Sequence, residues 1–272
     1  MAKNKKIGRF CPVDDQGFII NDAHLNKIQP VFWEVIQEIK DTCCQLLRDD
    51  LHSVYIRGSI PRGIGIEGIA DVDMIILVQK DPKAINLSWR KKLEVQITQQ
   101  FTCISGVELS FYSEKEVINS EDFSFIGFMI QTHSVCILGE DVKLFLPKYK
   151  VSQEIAYEHL IHLRKQIEQA HKELIHNQDE DDIEDCCRWI MKIIIRAGLA
   201  LTIDREGLYS RDLYPAYALF SKHFSEQKKN MRKALQYVIE PIKDIEEILS
   251  FLDTFGNWLI ERAVDYLKNI RF

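Results

Sequence analysis

The sequence is short of most features that would mark a specialised class. Its 272 residues include only 12 Gly and 7 Pro, which excludes a collagen-like repeat and a low-complexity chain. No stretch approaches the roughly 20 apolar residues that a bilayer crossing needs. The best candidate, residues 190–203, is interrupted by Lys192 and Arg196. Positive charge is not in excess either: 35 Lys and Arg stand against 41 Asp and Glu, a formal net charge of −6. A protein that grips duplex DNA or long RNA through many phosphates carries a basic face, so a long nucleic acid is not the expected partner. A single nucleotide remains open. Cysteine is present without a disulfide pattern. The seven cysteines are odd in number, form no CxxC, and include the adjacent pairs Cys43-Cys44 and Cys186-Cys187. Reduced thiols acting as small buried hydrophobes are expected. The basic start (Lys3, Lys5, Lys6, Arg9) leads into Cys11, Pro12, Asp14 and Asp15 instead of an apolar signal core. The expectation is a cytoplasmic protein with no membrane partner.

What the sequence does hold is enough apolar residue, 46%, to bury a sizeable core, and enough length for two domains of ordinary size. Short β-rich runs mix with helical patterns up to about residue 150, and long helical patterns follow. The fold class expected is therefore α+β: an N-terminal α/β domain with a mixed sheet over 1–150, then an all-α helical bundle over 151–272. Pro147 and a capping Ser152 mark the junction. Residues 28–47 read as a helix. Strands are expected at 54–56, 74–78, 107–112 and 135–138. The run 74–78 is apolar at every position, as in a strand covered on both faces. In the second half, helices are expected at about 152–176, 183–204, 211–224, 227–239 and 243–268. The acidic run from Asp179 to Asp185 reads as a solvated helix start, where carboxylates suit the backbone dipole.

One segment carries chemistry. Arg57-Gly58-Ser59 ends a strand, Arg62-Gly63 and further glycines punctuate a loop, and Asp71-Val72-Asp73 opens the apolar strand. Strand neighbours alternate faces, so Asp71 and Asp73 project from one side, about 7 Å apart. Two such carboxylates suit Mg²⁺, which takes one or two carboxylates plus substrate phosphate oxygens, and they suit two-metal phosphoryl transfer. Gly58 admits a phosphate close to the backbone, Ser59 and the N–H groups after it offer donors at a tight strand-to-helix turn, and Arg62 adds positive charge. A third acid is expected from a neighbouring strand. Glu108 is the candidate, because an isolated carboxylate in a β-like run is costly unless paired or metal-bound. For Arg57 two readings stand: it faces the site, or it pairs with a nearby carboxylate.

The ordered set Gly58-Ser59, Arg62-Gly63, Asp71-Val72-Asp73 and Glu108-Leu109-Ser110 resembles the DNA polymerase β-type nucleotidyltransferase superfamily, and within it the streptomycin/spectinomycin adenylyltransferase-like enzymes. The resemblance covers about 55 residues in motif and most of the chain in layout. It implies two Mg²⁺ ions on Asp71, Asp73 and Glu108, with Glu108 as third ligand or general base. It also implies a nucleoside triphosphate as co-substrate, ATP by preference, with Gly58, Ser59 and Arg62 toward the triphosphate. Ser210-Arg211-Asp212 resembles the helix start that touches nucleotide phosphates in those enzymes and brings in Arg211. The implied reaction moves a nucleoside monophosphate to a hydroxyl of a small molecule or protein and releases pyrophosphate. The lengthened lead around residues 10–15 departs from the pattern.

Other readings are a nucleotide-binding regulatory module without chemistry, and a HEPN-like RNase or its antitoxin partner, suggested by Arg164 and His171. That pair reads first as a solvated helix face. His159 and His162 lack the further ligands of a zinc site. Trp189, Phe251, Phe255 and Trp258 read as bundle packing.

Overall fold

The run Met74–Val78 does lie inside a sheet: none of its five side chains is more than 2% exposed in the computed structural model, which describes residues 8–120 and 122–270. The chain divides into two units, Pro12–Tyr149 and a second made of residues 8–11 with 150–270. The fold is α+β, a mixed sheet with its helices in the first unit and helices alone in the second.

The sheet unit runs α1 (Trp33–Leu47), β1 (Leu51–Arg57), β2 (Asp71–Val78), α2 (Arg90–Gln100), β3 (Gly106–Ser113), α3 (Glu114–Ile118), α4 (Phe125–His133) and β4 (Ser134–Gly139). The strand order is β3-β2-β1-β4. β1 is antiparallel to β2 and β4, and β2 is parallel to β3. Val54, Ile56, Val72, Met74, Ile76, Val78 and Leu109 share one buried cluster with Val35, Ile36 and Ile39 of α1 and Leu93 and Ile97 of α2. Alternation therefore gives Asp71, Asp73 and Glu108 the opposite face. Each apolar side chain so buried contributes about 1.5–3 kcal/mol, and together they fix the register on which the charged residues depend.

The expected helix at 28–47 begins only at Trp33. Pro30 has no N–H and holds Gln29 extended (ψ 146°), so two 3₁₀ turns, Leu25–Lys27 and Pro30–Phe32, precede the helix. No helix follows Gly58-Ser59, contrary to the strand-to-helix turn expected there. The chain passes through turns over residues 58–70 straight into β2, with Gly58, Gly63 and Gly68 all at positive φ.

In the helical unit the expected helix 152–176 is two, α5 (Gln153–Leu160) and α6 (Leu163–Leu174). Leu160, Leu163, Ile167, Ala170 and Leu174 are all buried at helical spacing across the break, which is why the periodicity does not reveal it. α7 (Glu180–Ala200) starts on Asp179, whose carboxylate accepts the N–H groups of Asp181 and Asp182. α8 (Ile203–Glu206), α9 (Leu213–His223), α10 (Lys228–Ile239) and α11 (Ile245–Phe251) follow. A π-helical segment, Leu252–Gly256, then leads into α12 (Asn257–Asn269). Phe251, Phe255 and Trp258 do pack the bundle, Phe255 stacking on Trp258 at 5.8 Å and meeting Phe220 edge-on. Residues 8–11 are bonded here as well: Arg9 N–H donates to Asp212, the Ser210 hydroxyl donates to the Arg9 carbonyl, and Cys11 N–H donates to the Tyr209 carbonyl. Among the described residues no helix is long and apolar enough to cross a membrane.

Candidate active site

The strand register assembles the central row. Arg57, the last residue of β1, lies opposite Asp73 of β2, and Asp73 lies opposite Glu108 of β3. Cross-strand partners share a face, so three side chains drawn from 52 residues of sequence meet side by side. One guanidinium nitrogen of Arg57 stands 3.5 Å from Asp73 Oδ1 and 3.4 Å from Glu108 Oε1. The Arg57 and Asp73 side chains are only 15% and 14% exposed, and ions so far removed from water need one another. Of the two readings left open for Arg57, these contacts show the pairing with carboxylates.

Glu108 corrects the argument that singled it out. Its side chain is 58% exposed, because β3 is an edge strand and this face of it is open to solvent. No burial cost needs offsetting there. What recommends Glu108 is its register with Asp73. The Ser110 hydroxyl donates to the same Glu108 oxygen at 3.2 Å. Tyr112 continues the face, its hydroxyl hydrogen-bonded to Ser110 and its pKa raised by burial. On the strand's other side the Leu109 N–H donates to the Glu94 carboxylate of α2 at 2.9 Å, which holds the edge strand in place. Ser110 entered only as the last residue of the Glu108-Leu109-Ser110 motif, and the only signal for Tyr112 is its period-2 spacing from Glu108.

Asp71 is half-buried on the same face, with Gly106 as its register partner on β3. A side chain placed at Gly106 would meet nothing within 4 Å. Gly58 is needed for a further reason besides the one expected. At φ +90° a Cβ there would stand 2.9 Å from Asp73 Oδ2, so the glycine leaves room at the backbone for the carboxylate of Asp73.

The loop after it is held from several sides. The Ser59 carbonyl accepts Ile64 N–H, the Pro61 carbonyl accepts His24 N–H, and the Gly65 carbonyl accepts Gln29 Nε2. Ile60 is buried at 1% exposure, whereas Ile64, Ile66 and Ile69 are exposed. Arg62 is drawn to Asp22, Nε to Oδ2 at 3.0 Å, with both side chains about nine-tenths buried. Asp22 gave no sequence signal, since it sits in an irregular segment ahead of Pro30.

The remaining candidates stand elsewhere. Arg211 belongs to the helical unit, where it hydrogen-bonds Tyr209, and the Tyr209 hydroxyl meets His159 Nε2 at 3.1 Å. Burial, reinforced by the charges of Arg211 and Arg196, holds the His159 pKa well below its ordinary 6.5. Arg164 and His171 occupy one face of α6 and line a cavity of about 350 Å³ with Glu168, Lys172 and Asn257. The His171 ring is engaged by Asp253 at 3.3 Å.

The donor set on β2 and β3 is all carboxylate, as a hard cation requires. Among the described residues no three His, Cys, Asp or Glu side chains are gathered closely enough to hold an ion between them. Arg57 stands between two of the three. The residues fit a divalent cation held by Asp71 and Asp73 with substrate oxygens completing its shell, the usual habit of Mg²⁺.

No known protein family matches the chain, and no curated protein matches it. Solved structures do match. One is the crystal structure of spectinomycin adenyltransferase AAD(9) from Enterococcus faecialis with ATP and spectinomycin. It is 15% identical, covers 85% of this chain and 99% of its own, and superposes with a TM-score of 0.52. The likeness is one of fold.

Proposed function

We propose that the chain is a Mg²⁺-dependent nucleotidyltransferase that moves a nucleoside monophosphate, AMP from ATP, onto a hydroxyl of a small-molecule acceptor and releases pyrophosphate. The observation that carries this reading is the cross-strand row in which Asp73 faces Glu108 on adjacent parallel strands, with Asp71 two residues away on the same face. The fold likeness to a structure solved with ATP and an antibiotic supports a triphosphate and a small acceptor, and the net charge of −6 argues against a long nucleic acid acceptor.

In this reading Asp71 and Asp73 would hold the cation, which when bound would offset the charge of the phosphate oxygens. Gly58 and Ser59 line the phosphates with backbone and hydroxyl donors, while Arg62, paired with Asp22, braces the loop behind them. Glu108 takes the acceptor's hydroxyl proton as the new oxygen–phosphorus bond forms. The bond from the α-phosphorus to the bridging oxygen breaks, and pyrophosphate leaves with that electron pair. Solvent exposure suits Glu108 to this task, because the proton can pass on to water. The chain contributes positioning and charge. The place of Arg211 on the phosphates rests on the resemblance of its triplet alone.

The test is transfer of label from [α-³²P]ATP in Mg²⁺ to a panel of hydroxyl-bearing metabolites and aminocyclitols, comparing the native chain with Glu108→Gln and Asp73→Asn. Labelled product from the native chain and none from Asp73→Asn is expected. Equal product from both overturns the proposal. Nucleotide binding without pyrophosphate release on any acceptor favours a regulatory module instead.

A further inference from the structure

We propose that the helical unit carries a binding site of its own: the cavity on α6 and α12 takes a small organic dianion with a negative group at each end and an uncharged middle. At about 350 Å³ the cavity stands at the lower end of the roughly 300–1,000 Å³ usual for small-molecule sites. Its floor is apolar, formed by Ile167 of α6 and Ile260 of α12, both buried. The α12 wall begins directly after the π-helical segment Leu252–Gly256, a form frequent at functional sites. Gly256 lets that segment close on α6, since a Cβ there would stand 3.2 Å from Ile167 Cδ1.

The charges carry the inference. Arg164, Glu168 and Lys172 line the cavity at four-residue spacing along α6. On an exposed helix that spacing offers two ion pairs, and a Glu four residues ahead of a Lys is the better orientation. Neither pair forms. Among the described residues the Arg164 and Lys172 side chains have no ion pair or hydrogen bond elsewhere either. His171 and Asn257 are already occupied: Asp253 engages the ring at 3.3 Å, and Asn257 Nδ2 donates to the Asp253 carbonyl at 2.7 Å. Two cations are therefore left to the cavity, about 12 Å apart along the helix axis at 1.5 Å per residue, with Glu168 midway. A compact anion placed between them would lie against the Glu168 carboxylate, so it cannot use both. An elongated molecule with a carboxylate or phosphate at each end can. The guanidinium group takes one oxyanion in paired bonds, the ammonium group takes the other as a point charge, and Glu168 turns away a third negative group in the middle.

Isothermal titration of the full chain with adipate, suberate, hexanoate and inorganic phosphate, at one ionic strength, tests this. We expect adipate or suberate to bind at least tenfold more tightly than hexanoate, which has one charged end, and than phosphate, which is compact. Arg164→Gln and Lys172→Gln should each weaken that binding at least fivefold. Glu168→Gln should bind at least as tightly as the native chain, and Lys165→Gln, exposed on α6 and outside the cavity, should leave the affinity unchanged. Failure of both dicarboxylates to bind overturns the proposal, as does equal affinity for hexanoate or phosphate. A loss in only one of Arg164→Gln and Lys172→Gln, or a matching loss in Lys165→Gln, also overturns it. Each of these outcomes leaves the transferase reading untouched, because that reading rests on Asp71, Asp73 and Glu108 of the sheet unit.

Discussion

Two groups of acids are conspicuous in this chain, and they are put to opposite uses. Residues 179–185 crowd carboxylates onto the start of α7, where most stay exposed. They cap backbone N–H groups through Asp179 or meet surface cations, Glu180 and Glu184 with Lys243 and Asp185 with Arg188. Asp71, Asp73 and Glu108 are fewer and lie far apart in sequence, yet the register of β1, β2 and β3 sets two of them on one arginine. Local density of charge says little about chemistry. Carboxylates on a helix start face water and serve the backbone, whereas carboxylates aligned across strands face one another and must be held by a cation. The sheet supplies convergence, and the helix supplies dispersal.

The comparison breaks first at Asp73. Asp73→Asn should lower nucleotidyl transfer by about 10³-fold or more, while Asp182→Asn, on the exposed helix start, should leave the rate within about twofold and stability within about 0.5 kcal/mol. Label-transfer rates with calorimetric melting would check both. Similar losses from the two would erase the distinction.

Gly58 gives the next largest effect. An alanine there adopts φ +90° with its Cβ 2.9 Å from Asp73 Oδ2. Gly58→Ala should cost about 1–3 kcal/mol and weaken nucleotide binding about tenfold by displacing that carboxylate. Gly207, at φ +59° with open space around it, should cost only the backbone term of about 1 kcal/mol as Gly207→Ala and leave nucleotide affinity unchanged. Paired titrations and melts separate crowding from backbone strain.

On the helix start, Asp179→Ala removes the cap from α7 and should cost about 1 kcal/mol in melting, without any change in nucleotide affinity. A loss of binding there would mean that the acidic run serves the site after all.

The smallest expected effect concerns a base. The folded-state pKa of His159 lies below its ordinary 6.5, so the folded form binds fewer protons than the unfolded form. Its contribution to stability is complete above 6.5 and is lost as the pH falls from 6.5 toward the folded value. Melting temperatures between pH 7.5 and 5 should show a decline that is shallower in His159→Gln. Equal slopes would show that the ring does not titrate in the way its burial requires.

Much of the fold was legible because its signals are local. The all-apolar Met74–Val78 announced an interior strand, and Asp179 ahead of an acidic turn announced a helix start. The candidate site was proposed from an order of motifs, Gly58-Ser59 then Asp71-Val72-Asp73 then Glu108, since each belongs to a strand end. What stayed hidden depends on register or on single residues. Pro30 delays α1 through its missing N–H. The break between α5 and α6 leaves the apolar spacing intact. The loop 58–70 enters β2 without a helix because its positive-φ glycines and Pro61 do not sustain one. Arg57 could not be assigned before its partners across two strands were known, and Asp22 became the partner of Arg62 through a contact that no spacing encodes.

The central claim, that aspartates on one face of β2 receive a cation with its triphosphate, is tested most directly by isothermal titration of a non-hydrolysable ATP analogue with and without Mg²⁺. The native chain and an Asp71→Asn/Asp73→Asn double variant should be compared, with folding checked by circular dichroism. Binding by the native chain that needs Mg²⁺, and that weakens at least tenfold in the folded double variant, is the predicted result. Equal affinity in the two proteins, or affinity indifferent to Mg²⁺, would contradict it.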